Sequence, residues 1–329
     1  MKTKNFNLNE LQAAAEILRA GELVAFPTET VYGLGADATS DSACAKIYAA
    51  KGRPSDNPFI VHVVDLAAAE KIADVTPIAR KIFDAFAPGP ITVVMKRRNI
   101  ICDTAAAGLD TIGVRIPSHP VAQEFLRLCN VPVAAPSANI SGRLSPTNAD
   151  MVLRDMDGRI SGIVDSDGVD VGLESTVVSV VDDKIKLLRA GAVSLEQLEE
   201  LLGTPIEIAD EVKDGEVMRS PGQKYQHYMP AVPLFLTEDE NFEIDDEKIG
   251  VMGLTRQFNN LEEYAKGLYS TMDEMGRGGY VKIIAVLPPN VGIGRAIRNR
   301  LLRAAAGKFY KPSDADTDNI LFSKGCSVL

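Results

Sequence analysis

What most limits the folds open to this chain is a series of short apolar runs separated by helical stretches. Runs of four to six residues at 23–26, 59–64, 91–95, 111–116, 176–181 and 185–188 have the length and composition of buried strands. Helical spacing falls between several of them, at 43–50, 78–87, 121–128 and 195–202. The alternation predicts an α/β or α+β fold around one twisted mixed sheet flanked by helices. The first element is also helical. Leu8, Leu11, Ala15 and Leu18 recur at helical spacing, Asn7 and Glu10 form a capping box, and Gly21 supplies the stop.

The pattern weakens after Ile208. Residues 210–231 are polar and end in S-P-G-Q-K-Y-Q-H-Y-M-P, punctuated by Pro221, Gly222 and Pro230. A loose tether is rich in Gly and Ser. Two tyrosines, a histidine and a lysine instead predict a segment packed on a surface. Beyond it, strands are expected at 234–236, 249–254 and 281–287, with helices at 261–267 and 294–306. The acidic run 238–247 reads as a solvated loop. The chain therefore divides into 1–209, an ordered linker or lid at 210–231, and 232–329. Its 329 residues suit two domains of roughly 100–200 residues each.

Charge narrows the function. Lys plus Arg number 35 and Asp plus Glu 45, for a formal charge of −10. Residues 1–209 carry 20 basic and 27 acidic side chains, and the remainder 15 and 18. Neither part has the basic footprint of a stable nucleic-acid binder. An anionic ligand must be met by a few focused cations. Cys44, Cys102, Cys129 and Cys326 are widely spaced, with no C-x-x-C, so buried free thiols are expected rather than zinc or a disulfide framework. The start M-K-T-K-N-F-N-L-N-E has no signal-peptide core, and no run approaches the ~18 apolar residues of a membrane span. A cytoplasmic protein without a membrane partner is expected.

Four clusters carry chemistry. In K-G-R-P-S-D-N-P-F-I-V-H-V, Lys51 and Arg53 face one way if extended and flank Gly52, which suits a polyphosphate. The same pair also fits two solvated charges at a helix end. In A-P-S-A-N-I-S-G, Ser137 and Asn139 share a face if extended, or form a capped turn. In T-I-G-V-R-I-P, Ile112, Val114 and Ile116 face a core, leaving Arg115 on the opposite side of a rigid strand. That placement suits bidentate recognition of a carboxylate, or a surface ion pair. In P-T-E-T-V-Y-G-L-G, Thr28, Glu29 and Thr30 follow a buried strand, where α/β proteins place ligands. The same residues also serve as a turn and helix cap. G-L-E-S-T-V-V and L-L-R-A-G add Arg189 at a strand end. His62 alternates with Val61 and Val63 and so faces away from them. No P-loop and no G-x-S-x-G elbow occur. G-I-G-R at 292–295 lacks the following β-unit of a dinucleotide site and reads as a structural turn.

The five motifs P-T-E-T-V-Y-G-L, K-G-R-P-S-D-N-P, T-I-G-V-R-I-P-S-H-P, A-P-S-A-N-I-S-G and G-L-E-S-T-V-V, in this order, resemble the YrdC/Sua5 family. The linker and the 292–305 stretch resemble its longer, two-domain Sua5 type. The resemblance implies an N-terminal YrdC-like domain and a smaller C-terminal Rossmann-like α/β Sua5 domain. It implies an enzyme, a nucleotidyltransferase that turns L-threonine, bicarbonate and ATP into threonylcarbamoyl-AMP and pyrophosphate. A separate tRNA threonylcarbamoyl transferase would then use the adenylate to form t6A at position 37 of tRNAs reading ANN codons. By the same resemblance Lys51, Arg53, Ser137 and Asn139 are catalytic. Lys51, Arg53, Asn57, Thr111, Asn139, Thr147, Arg189, Tyr225 and Tyr228 would meet ATP. Thr30, His62, Arg115, Ser137 and Ser175 would hold threonine. Mg²⁺ would arrive on ATP, with no dedicated metal site. The chain departs from the family at S-P-G-Q, H-Y-M-P, L-L-R-A-G and D-S-D-G, all in the lid and loops.

Three rival readings stand beside this one, one of them a scaffold whose C-terminal domain only docks partners. A concave sheet of this kind suits an RNA-binding module, against which the acidic charge of 1–209 weighs. A hydrogenase-maturation-type carbamoyltransferase shares the module, but those chains add C-x-x-C zinc fingers and an acylphosphatase-like region.

Overall fold

The computed structural model describes residues 2–209, 227–241, 244, 246–254 and 256–310. Eleven strands form one mixed sheet in the N-terminal part. They are β1 (Lys4–Phe6), β2 (Val24–Phe26), β3 (Gly33–Asp37), β4 (Ile60–His62), β5 (Ile91–Lys96) and β6 (Thr111–Arg115). β7 (Val133–Ala134), β8 (Gly162–Val164), β9 (Thr176–Ser179), β10 (Lys186–Arg189) and β11 (Glu207–Ile208) complete it. The order across the sheet is β1-β8-β2-β3-β7-β4-β6-β5-β9-β10-β11. Pairs β1–β8, β2–β8, β4–β6, β5–β9 and β10–β11 are parallel, and the other five are antiparallel.

Side-chain alternation sends the two faces of the sheet into different cores. On one face Ala25, Leu34, Val61, Val93, Ile112 and Val114 pack against helices including Asp41–Lys51 and Pro77–Phe86. On the other, Val24, Phe26 and Val133 lie beneath the paired helices Leu11–Arg19 and Pro120–Cys129. Each of those two helices buries an apolar stripe, Leu11, Ala14, Ala15 and Leu18 in the first and Ala122, Phe125, Leu126 and Cys129 in the second. Together they cover only the β1-to-β7 half of that face. The β4-to-β9 half of the same face carries Ile60, Val94 and Val177, together with His62, Thr92 and Arg115.

A second sheet follows, wholly parallel, of β12 (Leu234–Thr237), β13 (Ile249–Met252) and β14 (Lys282–Val286), in the order β12-β14-β13. Helices Leu261–Arg277 and Ile293–Ala304 cover one side of it. The first of these runs ten residues past the expected stop at Gly267. The ring of Phe258 packs where a side chain at 267 would stand, so this glycine serves packing rather than termination. The P-T-E-T-V-Y-G-L-G segment also differs from expectation. Its turn is short, and Gly33–Asp37 is a buried strand near the middle of the large sheet.

The two parts share a core. Val31, Leu144, Met151 and Leu173 belong to the same apolar cluster as Leu268, Met272 and Leu301. Arg154 pairs with Asp273 at 2.5 Å and Arg295 with Glu196 at 2.9 Å across the seam. The tightest approach is at Gly172, which has φ +76; a Cβ there would meet the Lys266 Cα at 2.5 Å. A Gly172→Ala substitution therefore combines left-handed strain with a backbone clash, costing about 2–4 kcal/mol. Gly203, with φ +69 and open space around it, is the control. Gly203→Ala should cost only about 1 kcal/mol. Denaturant unfolding of the two variants measures the difference, and equal losses would contradict the close packing at the seam.

Candidate active site

The bare half of the sheet face becomes the floor of a cleft. Ile60 and His62 of β4 and Arg115 of β6 line it, with Thr28, Thr30, Lys51, Arg53, Ser137, Asn139, Ser145, Glu174, Ser175, Arg189, His227 and Tyr228 around them. About 60 Å³ inside it is open to a water-sized body.

Lys51 and Arg53 reach this cleft, but not as an extended pair. Lys51 is the last residue of helix Asp41–Lys51, and Gly52 caps the helix in the left-handed region at φ 61. That turn carries the chain over the cleft. Lys51 is 2% exposed. Its Nζ donates to the carbonyl oxygens of Ser137 at 2.5 Å and Asn139 at 2.6 Å. The cation thus bolts the S-x-N loop to the helix end. Asn139 completes the loop, its Nδ2 donating to the carbonyls of Ile140 and Arg143. Burial, then the charge of Arg53, holds the Lys51 ammonium well below its ordinary range. Burial also brings the Arg53 guanidinium down to about 10. Arg53 lies over the Phe59 ring at 5.6 Å and donates to the carbonyls of Asn57 and Pro58.

Arg115 marks the other end. It sits opposite His62 on β4 and Thr92 on β5, so the three share a face. Its Nη1 donates to Thr30 Oγ1 at 2.8 Å, and Thr30 is held by Thr28 at 2.9 Å. Glu29 lies 2.8 Å from Arg115 Nη2, and both side chains are buried. This ion pair lacks an aligned hydrogen bond. Nε and Nη2 of Arg115 and both Glu29 oxygens remain unpartnered. Arg115 is therefore an inward-facing fork, ion-paired with buried Glu29 and with Nε unspent, not a surface ion pair.

The third wall joins the two parts of the chain. Ser175 Oγ lies 2.7 Å from Thr92 Oγ1, and Arg189 donates to the Ser175 carbonyl and hydroxyl at 3.1 and 3.2 Å. His227 and Tyr228, at the end of the 210–231 segment, lie against this wall. Tyr228 stacks on Tyr269 at 5.4 Å, and the Met229 amide donates to Gly142. Buried polar atoms are normally satisfied. Here Arg53 Nε, His62 Nδ1, Arg115 Nε and Nη2, and His227 Nε2 are buried without partners, and all belong to residues that line this one cleft.

With that geometry in place, the comparisons are direct. Residues 16–191 match the Sua5/YciO/YrdC family model, described as telomere recombination. Residues 193–306 match the C-terminal domain model of threonylcarbamoyl-AMP synthase. The chain belongs to the Sua5/YrdC family. It is 40% identical to the threonylcarbamoyl-AMP synthase of Bacillus subtilis (strain 168), over 92% of this chain and 94% of that one. Identity to the Pyrococcus abyssi (strain GE5 / Orsay) threonylcarbamoyl-AMP synthase is 36%, over 92% and 96%. The crystal structure of P. abyssi Sua5 complexed with L-threonine matches with a TM-score of 0.85 at 34% identity, over 93% of this chain and 98% of that one. The large mixed sheet and the smaller C-terminal domain are the two-domain architecture of the family.

Ten of the candidate residues from the sequence line the cleft: Thr30, Lys51, Arg53, His62, Arg115, Ser137, Asn139, Ser175, Arg189 and Tyr228. Asn57, Thr111 and Thr147 are buried but do not line it. Thr111 sits four residues before Arg115 on β6, about 13 Å along the strand. Thr147 donates to Met151 Sδ. Tyr225 and Cys326 lie outside the described residues. Cys44, Cys102 and Cys129 are buried free thiols. Ser141, Arg143, Ser145 and Glu174 also line the cleft and are not among the sequence candidates.

All three histidines are displaced towards neutrality. Burial, with Arg115 beside it, brings His62 down to about 3. Burial, with Arg53 and Arg303, does the same for His227, and burial lowers His119. Between pH 6.5 and 3 the unfolded chain takes up protons that the native state refuses. Stability should therefore fall as pH drops from 7 to 5, with His62 and His227 each adding up to about 1.4 kcal/mol per pH unit below the unfolded value. Denaturant midpoints of the parent and His62→Asn across that range check this. An unchanged slope in the variant would show that His62 titrates normally.

Proposed function

We propose that this cleft makes threonylcarbamoyl-AMP from L-threonine, bicarbonate and ATP, with release of pyrophosphate. The observation that carries the reading is the set of unspent buried donors converging on one cleft, with the Arg115 fork at one end and Lys51, Arg53 and Arg189 around the rest. ATP brings about four negative charges, which Arg53 and Arg189 answer and Lys51 supports by holding the Ser137–Asn139 loop. Arg115 takes the threonine carboxylate through its unpartnered Nε, with Nη2 beside Glu29. Thr30, Ser175 and neutral His62 surround the rest of the amino acid. Asn57, Thr111, Thr147 and Tyr225 belong to the ATP side in this reading. The residues 1–209 form the catalytic unit, 210–231 the linker and lid, and 232–329 the C-terminal unit.

The threonine amine attacks bicarbonate carbon and water leaves, giving a carbamate. A carbamate oxygen then attacks the α-phosphorus in line. The bond to the β-phosphate oxygen breaks, and pyrophosphate departs with that electron pair. The protein supplies position and charge neutralisation. Mg²⁺ enters as part of the MgATP substrate. The adenylate passes to a tRNA threonylcarbamoyl transferase for t6A formation at position 37. The acidic chain need not hold tRNA itself, and it works in the cytoplasm. No helix among the described residues is long and apolar enough to cross a membrane.

Two experiments test this. Pyrophosphate release from ATP should require both threonine and bicarbonate, and a Lys51→Ala, Arg53→Ala double variant should lose at least about a hundredfold. Release indifferent to threonine would sink the assignment. Tyr228 bears on the lid, since it is buried over the cleft beside His227. Tyr228→Ala should let water reach the adenylate and raise the ratio of AMP to threonylcarbamoyl-AMP severalfold. An unchanged ratio would remove the lid role.

A further inference from the structure

Glu174 is an acid in the wall of a site built for anions. It is 7% exposed and lines the cleft beside Arg189. Its carboxylate accepts from Ser145 Oγ at 2.6 Å and Tyr269 Oη at 3.0 Å. It also accepts from Arg300 Nε at 2.8 Å. Arg300 is fully buried and comes from helix Ile293–Ala304 of the C-terminal part. Arg189, by contrast, spends its hydrogen bonds on the neutral Ser175 carbonyl and hydroxyl. Of the two arginines whose charge acts on this carboxylate, the one from the C-terminal part is bonded to it.

We propose that Arg300 is a positioning residue for the adenylation reaction: by neutralising Glu174 it keeps Arg189 off that carboxylate, on its neutral Ser175 partners and available to the phosphates of ATP. The inference rests on reading the cleft as the ATP site. It gives the C-terminal domain a defined task, since a buried carboxylate stripped of its cation turns to the next one within reach. Burial alone would push the Glu174 carboxyl up. Arg300 first, then Arg189 and the hydrogen bonds from Ser145 and Arg300, outweigh it and hold the group at about 2. Glu174 is therefore charged at every working pH and must always be answered. Arg189 is shifted down by burial and by the Arg300 charge, and up by Tyr228, Glu174 and Tyr269. That set of influences ties Arg189 to this same cluster.

A latch that merely holds two domains together makes a different forecast, so the full-length chain separates the two. Arg300→Met should raise the KM for ATP at least tenfold and leave the KM for threonine within about twofold. Glu174→Gln should lower the KM for ATP, because the wall gains net positive charge. The double variant Glu174→Gln, Arg300→Met should recover an ATP KM within about threefold of the parent, since no carboxylate remains to capture Arg189. A double variant as weak as Arg300→Met, or weaker, overturns the proposal. So does equal impairment in both single variants. Thermal midpoints establish that each chain is folded. If Arg300→Met does not fold, Arg300→Lys supplies the comparison. An ATP KM within threefold of the parent supports the charge role, and a tenfold loss overturns it. The parent enzyme separates the two readings. Threonine-dependent pyrophosphate release without rescue in the double variant rejects only the role of Arg300, whereas no such release in the parent rejects the cleft assignment.

Discussion

The constraint on which this molecule turns is the burial of positive charge without full compensation. Lys51, Arg115 and Arg300 are each less than 5% exposed. Bringing an isolated cation out of water costs several kcal/mol even after relaxation. The fold meets that cost in three different ways. Lys51 is wrapped by carbonyl oxygens, Arg300 is given a carboxylate, and Arg115 is set beside an acid without a complete set of hydrogen bonds. Only the last leaves donors facing the cleft. The proposed threonine contact falls at this incompletely answered charge.

That arrangement depends on the topology. The large sheet needs cover on both faces, and the helices Leu11–Arg19 and Pro120–Cys129 cover half of one face. The uncovered half cannot be apolar and open, because exposed apolar sheet invites association. The second unit closes part of it. Leu173 enters the same core as the C-terminal helices, and Glu174 next to it carries the charge contact with Arg300. The seam between the two units and the wall of the cleft are therefore the same few residues.

Much of this was legible in the sequence, for identifiable reasons. Strands β2, β4, β5, β6, β9 and β10 show as apolar runs, and the strict alternation of a strand places Arg115 on the correct face. His62 followed by the same rule. Lys51 and Arg53 were assigned to one site for an incomplete reason. An extended segment was expected, whereas a left-handed Gly52 cap does the steering. The strands Lys4–Phe6, Val133–Ala134 and Gly162–Val164 are too short to show a period, and β3 was hidden because Gly33 and Gly35 carry no hydrophobic signal. Arg300 did leave a signal. Ala296, Ile297, Leu301 and Ala304 form the buried stripe of their helix, and position 300 falls on it four residues after 296. A charge on an apolar stripe requires a partner. Glu174, between Leu173 and Ser175 in an otherwise uncharged segment, is the matching anomaly. Each was readable alone, but their pairing needed the three-dimensional seam.

Tyr228 is held in place by opposing local energies. Its backbone sits in the left-handed region at φ 66, which costs a non-glycine residue about 1–3 kcal/mol. Stacking on Tyr269 at 5.4 Å and the Arg300 guanidinium 5.6 Å from its ring act in the opposite direction. Such contacts contribute about 0.5–2 kcal/mol each. The opposing contributions are of the same size, so the seated conformation is held without being locked. That balance suits a site that must exclude water from a labile adenylate and then release it. Arg300 takes part twice, because one guanidinium both faces the tyrosine ring and answers Glu174. The C-terminal unit thereby touches Tyr228 and Glu174, two walls of the cleft, through a single side chain.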